Sequence, residues 1–182
     1  MKLSDVDIVI LSGGLGTRLR STIGESQKIM ATVGEEPFFN IVLRYLKAQG
    51  FGRIILAIGY QADQVEQYYR KNNLGLNIEF SREETPLGTG GAIKNAQKLV
   101  RSDVFFAMNG DCFSPLAYDD FLQFHLAKKS SATLSVVKIN DSRDYGTIIL
   151  GDNDRINGFE EKKDVAGGGL VNVGYSMTQE DR

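Results

Sequence analysis

The first apolar positions form an unbroken run. Residues 6–12 read VDIVILS and end on two glycines. A run without alternation belongs to a strand covered on both faces, as in a parallel sheet. A polar stretch follows, over residues 13–36. Then Phe38, Ile41, Val42, Tyr45 and Leu46 recur at helical spacing until Gly50, which predicts an amphipathic helix with a glycine stop. Residues 53–58 (RIILAI) form a second apolar strand, and 61–71 a polar helix striped by Val65, Tyr68 and Tyr69. The pattern continues with a strand over 76–80, a loop over 82–91, a helix over 92–100 and a strand over 103–108. A helix over 115–127, with Pro115 in its first turn, and a strand over 133–138 complete this part. Strand and helix alternate, so the crossovers are right-handed and the sheet is mostly parallel, with helices on both faces. Past residue 138 the rhythm changes. Residues 147–150, 156–160 and 170–177 read as strands with no helix between them, the first two joined by a Gly151-Asp152-Asn153-Asp154 turn. This part is expected to be antiparallel.

Composition narrows the classes. The 182 residues make one domain of ordinary globular character. The net charge of −2 argues against a nucleic-acid binder, which needs a basic face. One Cys excludes an internal disulfide and a cysteine zinc cage, and one His excludes a paired-histidine metal site. Cys112 is expected to pack as a small hydrophobe, and His125 to lie on a helix surface. No segment is a signal peptide or a membrane span, so a cytoplasmic protein with no membrane partner is expected.

In open sheets of this kind ligands bind beyond the carboxyl ends of the strands. Those ends carry Gly13-Gly14, Gly59-Tyr60 and Asn109-Gly110-Asp111. The loop Leu11-Ser12-Gly13-Gly14-Leu15-Gly16-Thr17-Arg18-Leu19 turns tightly enough to aim backbone N–H groups at an anion. Arg18 adds a charged fork suited to phosphate, and Lys28 follows within reach. Alone, such a loop is equally well read as a glycine turn with an exposed arginine. It is not the phosphate loop GxxxxGK[ST], and it lacks the third glycine of the dinucleotide fingerprint.

Further motifs follow in order: Glu84-Thr85-Pro86-Leu87-Gly88-Thr89-Gly90-Gly91-Ala92, Asn109-Gly110-Asp111, Tyr145-Gly146, Phe159-Glu160-Glu161-Lys162 and Asn172-Val173-Gly174. Together with the first loop and Lys28 they resemble the sugar-1-phosphate nucleotidyltransferases. The spelling PLGTGGAI is most similar to the short guanylyltransferases acting on mannose 1-phosphate or D-glycero-D-manno-heptose 1-phosphate. The resemblance implies a Rossmann-like α/β three-layer sandwich with a mostly parallel mixed sheet and antiparallel C-terminal strands. It implies transfer of a nucleotide from a nucleoside triphosphate, GTP favoured, to a sugar 1-phosphate, in the making of cell-surface polysaccharide precursors.

The same resemblance assigns roles. Leu11, Gly13, Gly14, Gly16, Thr17, Arg18, Glu84, Pro86, Gly88, Thr89 and Gly110 would hold the nucleotide. Arg18, Lys28, Asp111 and Lys162 would be catalytic, with Asp111 holding Mg²⁺. Gly146, Glu161, Lys162 and Asn172 would meet the sugar phosphate. Each has a plainer reading. Asp111 would cap the next helix, Glu161 and Lys162 would sit in a solvated turn, and Asn172 would mark a β-bulge. Homo-oligomerisation stays open.

The chain also departs from the family. The family writes Pro-Lys-Pro around the lysine, whereas this chain has Gln27-Lys28-Ile29. Its tyrosine follows Gly174 directly, one place early. The later aromatic-x-Asp-x-Gly-Thr motif, with a second metal-binding Asp, is missing, so the chain is expected to lack a C-terminal portion. Two other readings follow: a nucleotide or nucleotide-sugar binding module without turnover, and a choline-phosphate cytidylyltransferase-like enzyme.

Overall fold

The computed structural model describes residues 1–14, 27–162 and 167–179. They divide into two compact units, the described residues of 1–133 with 177–179, and those of 134–176.

In the first unit, β1 (Asp7–Ser12), β4 (Arg53–Ile58), β5 (Asn77–Arg82) and β6 (Val104–Asn109) run parallel in the order β5-β4-β1-β6. The end of β10 (Gly169–Gln179) and the start of β7 (Ala132–Ile139) extend the sheet beyond β6. The apolar runs are buried as their lack of alternation demands: Ile8, Val9, Ile10, Ile54, Ile55, Leu56 and Phe105 are sealed from solvent. Helices α1 (Phe38–Gln49), α2 (Ala62–Lys71), α3 (Gly88–Gln97) and α4 (Tyr118–Lys128) connect the strands. Gly50 ends α1 at φ 105°, its N–H donating to the Leu46 and Lys47 carbonyls, a cap a side chain would strain. The buried stripe of α1 is Phe39, Val42, Leu43 and Leu46, turned from the expected stripe because Phe39 and Leu43 take the inward places of Phe38 and Tyr45.

Three further differences have local causes. A two-residue hairpin, β2 (Thr32–Val33) with β3 (Glu36–Pro37), interrupts the polar stretch, too short to leave a periodicity. Helix α4 starts at Tyr118, three residues after Pro115, because the Tyr118 ring locks into Phe51 and Phe106 at 5.1 and 5.3 Å. Its His125 is buried rather than on the surface, with Nδ1 2.8 Å from Thr133 Oγ1. Burial holds its pKa below the ordinary histidine value.

Opposite the carboxyl ends, Asp7 is buried at the start of β1. It accepts N–H bonds from Arg101 and Ser102 and pairs with Arg53 at 2.6 Å. These bonds satisfy the charge and pin that end of the sheet.

The second unit holds the antiparallel hairpin of β8 (Thr147–Leu150) and β9 (Ile156–Glu160), together with stretches of β7 and β10. The expected turn closes it, with Gly151 N–H donating to the Arg155 carbonyl at 2.7 Å. No helix among the described residues is long and apolar enough to cross a membrane.

Candidate active site

Beyond the carboxyl ends of β1 and β6 lies a cleft of about 510 Å³. Its walls come from Leu11 and Ser12 at the end of β1 with Gly13 and Gly14 after it, Lys28 and Ile29, Glu83 after β5, Pro86, Gly88, Thr89 and Ala92 around the start of α3, and Asn109 and Asp111 at and beyond the end of β6. The parallel register sets these ends side by side: Leu11 pairs with both Ala57 and Asn109.

Lys28 begins a short 3-10 turn, Lys28–Met30. Its Nζ lies 3.0 Å from Asp111 Oδ2, joining segments 83 residues apart. Both side chains are about a third exposed, at 33% and 39%. An ion pair this open contributes little to stability, so its chemistry matters more than its energy. The turn is set by packing. Gly110 N–H donates to the Leu11 carbonyl at 2.9 Å. A Cβ on Gly110 would stand 3.1 Å from Ile10 Cγ2, Ile29 Cγ2 and the Leu11 oxygen alike. A side chain at Gly110 would force Ile10, Ile29 or the Leu11 carbonyl to give by a few tenths of an ångström where the chain leaves β6 beneath the Lys28 turn. Gly110→Ala is therefore expected to lower unfolding free energy by about 1–3 kcal/mol in urea titration and to shift Asp111. An unchanged midpoint would refute this packing.

Asp111 does not cap α4, whose N-cap residue is Ala117. Beside it Cys112 is half-buried, with Sγ 3.6 Å from Asp111 Oδ1. Burial, then the adjacent carboxylate, raises its thiol pKa, so the thiol stays protonated.

Glu83 was not singled out by spelling. Its N–H continues the ladder to the Ile58 carbonyl at 2.9 Å, and its Oε2 accepts the Leu87 N–H at 3.2 Å. The carboxylate lies against Gly13, where a Cβ would fall 1.8 Å from Glu83 Oε1. Glu84 is exposed and does not line the cleft. The expected loop over 82–91 is in part helix, since α3 begins at Gly88 (φ 69°). Gly88 and Thr89 thus stand at a helix N-terminus, where N–H groups are free to meet an anion or a polar edge.

Gly16, Thr17 and Arg18 lie outside the described residues. Gly146, Glu161, Lys162 and Asn172 lie in the second unit, all exposed. Gly146 packs where a Cβ would meet the Glu160 carbonyl at 3.3 Å. Asn172 Oδ1 accepts the Gly174 N–H at 2.8 Å, and Gly174 adopts φ 85°.

Asp111 offers hard oxygen donors suited to Mg²⁺, which takes one or two carboxylates and completes its shell with phosphate oxygens and water. Among the described residues no cluster of three or more His, Cys, Asp or Glu forms a closed metal cage. A cation held by Asp111 would have to complete its shell with oxygens from outside such a cage.

A family model described as nucleotidyl transferase matches residues 7–179. The D-glycero-alpha-D-manno-heptose 1-phosphate guanylyltransferase of Campylobacter jejuni is 38% identical over 173 residues, covering 95% of this chain and 76% of its own length. The mannose-1-phosphate guanylyltransferase of Mycobacterium tuberculosis is 34% identical over 175 residues, with 96% of this chain and 49% of the relative covered. The crystal structure of HddC from Yersinia pseudotuberculosis complexed with GMP-PN matches with a TM-score of 0.83 at 37% identity, covering 96% of this chain and 77% of that one.

Proposed function

Since the chain belongs to the nucleotidyl transferase family, we propose that it moves a guanylyl group from GTP to a sugar 1-phosphate of manno configuration, heptose or mannose. What carries this reading is the convergence in one cleft of Gly13, Gly14, Lys28, Pro86, Gly88, Thr89 and Asp111, from motifs spread over the first 111 residues. The guanylyltransferase relatives support the choice of base and sugar.

A phosphate oxygen of the sugar 1-phosphate attacks the α-phosphorus of GTP. The new P–O bond forms as the bond to the β-phosphate oxygen breaks, and pyrophosphate leaves. The attacking oxygen is already ionised, so no general base is needed; positioning and charge neutralisation do the work. Backbone N–H groups at Gly13 and Gly14 face the nucleotide. Lys28 neutralises charge at the α-phosphate. Asp111 would hold Mg²⁺, which supplies charge neutralisation across the phosphates. Arg18 acts on the departing pyrophosphate, and Lys162, Glu161, Asn172 and Gly146 on the sugar phosphate.

Glu83 supplies base choice. A carboxylate only accepts hydrogen bonds, and guanine presents N1–H and N2–H₂ side by side, a donor pair the other bases lack. Glu83→Gln is expected to cut the preference for GTP over ITP, which lacks the 2-amino group, by roughly 10- to 100-fold in kcat/KM. An unchanged GTP/ITP ratio would remove Glu83 from base reading.

A matrix of four nucleoside triphosphates against mannose, heptose and glucose 1-phosphates, read by pyrophosphate release, tests the function. GTP with a manno-configured phosphate is expected to be fastest; no release with any pair overturns the reading.

A further inference from the structure

Gln27 stands where the family pattern has proline. The side chain there is 3% exposed, a burial unusual for glutamine at the edge of a polar cleft. Its Oε1 accepts a hydrogen bond from Ser12 Oγ at 3.1 Å. Its Nε2 has no partner among the described residues, which makes Ser12 the amide's anchor there. The main chain also works on the turn: the Gln27 carbonyl accepts the Met30 N–H at 2.9 Å. Gln27 thereby ties the last residue of β1 to the first residue of the turn that carries Lys28.

The backbone at Gln27 has φ −64° and ψ 145°. That φ is the value a proline ring imposes, about −65°. The chain has kept the conformation that proline would fix and lost the ring that fixes it. A buried hydrogen bond from a neighbouring strand is the available substitute. It does not fix φ as a ring does; it anchors the side chain, and with it the Cα that precedes Lys28, to the end of β1.

We propose that Gln27 is a positioning residue, clamped by Ser12, that holds the Lys28 turn in register with Asp111 in place of the missing proline. Ser12 lines the cleft and Gln27 does not, so Gln27 acts through Lys28 rather than on the substrate. The inference rests on the functional reading for its kinetic test and has a second test that does not.

The experiment is a double-mutant cycle with a rescue. Gln27→Ala and Ser12→Ala are each expected to lower kcat by about tenfold, with KM for GTP changed less than twofold. The double variant loses no more than either single, because both remove one clamp. Gln27→Pro returns kcat to within about twofold of the parent, since its ring restores the φ restraint. Additive losses, or a Gln27→Pro variant as impaired as Gln27→Ala, overturn the proposal. Should Gln27→Ala fail to fold, Gln27→Met fills the space, cannot bond to Ser12, and takes its place. The same cycle is read without turnover from the Mn²⁺ affinity of the protein, measured by paramagnetic relaxation of water protons. A loosened Lys28 turn competes less for the Asp111 carboxylate, 3.0 Å away, so each single variant is expected to tighten Mn²⁺ binding by up to about threefold, the double variant no further, and Gln27→Pro to return it to the parent value. That pattern supports the clamp, and additive or absent changes overturn it. If the parent releases no pyrophosphate from any substrate pair, the functional reading fails while this binding cycle still decides the clamp.

Discussion

Asp111→Asn is expected to lower pyrophosphate release by about 1,000-fold, with a thermal midpoint close to that of the parent. The amide keeps the shape of the side chain and removes its charge. The carboxylate stands at the end of β6, 39% exposed, paired with Lys28. Such a pair is worth at most ~1 kcal/mol to folding, so stability barely registers the change. Transition-state charge registers it fully. A cation held against transferring phosphates supplies several kcal/mol, and each 1.36 kcal/mol is tenfold in rate. Raising the Mg²⁺ concentration should recover part of the loss, because the phosphates still bind the ion. Initial rates over a Mg²⁺ series, beside a melting curve, check both statements. A variant that keeps more than a tenth of the parent rate would take Asp111 out of the metal site.

The parallel part of the fold was legible because its strands are buried on both faces. An unbroken apolar run such as Ile8-Val9-Ile10 needs no register information to be recognised, and these residues are sealed, with Ile55 beside them, as the run implies. The paired ends then follow from topology, which is why Lys28 and Asp111, 83 residues apart, could be expected in one place. Side-chain parity was not legible. Glu83 and Glu84 are adjacent carboxylates with similar local surroundings in the sequence. Successive residues of an extended chain face opposite ways, and only the ladder bond from Glu83 N–H to the Ile58 carbonyl decides which one lies against Gly13.

Gly88 shows a second limit. Three glycines within four residues, Gly88, Gly90 and Gly91, argue against a helix by propensity. The structure nevertheless starts α3 at Gly88. The following Ala92 and Ala96 are buried, Ala96 in the cluster with Val9, Ile55 and Phe105. Burial further along the helix outweighs weak propensity in its first turn. His125 fails for a related reason. Nearby Lys128 and Lys129 marked a polar face, but the ring points at Thr133 on β7, a partner no local pattern reveals.

Lys28→Met is expected to lower kcat/KM for GTP by roughly 100- to 1,000-fold, the size seen when one donor to a developing charge is removed from a pre-formed site. Methionine keeps most of the stem, so packing beside Ile29 is retained and the loss reports the ammonium. Lys28→Arg should not restore the rate, because a planar fork does not replace a compact point charge at one phosphate oxygen. A second consequence has the opposite sign. Lys28 Nζ stands 3.0 Å from Asp111 Oδ2, so a divalent cation on that oxygen would compete with it. Removing the ammonium should therefore tighten Mn²⁺ binding to the free protein by about threefold, the scale of one exposed ion pair, while catalysis falls. Paramagnetic relaxation of water protons measures that affinity without turnover. Weaker Mn²⁺ binding in Lys28→Met would mean that the two side chains do not compete, and that Asp111 meets the cation elsewhere. Tighter binding with slower transfer would separate two roles of Lys28, as a competitor for the Asp111 carboxylate and as the cation that meets the α-phosphate.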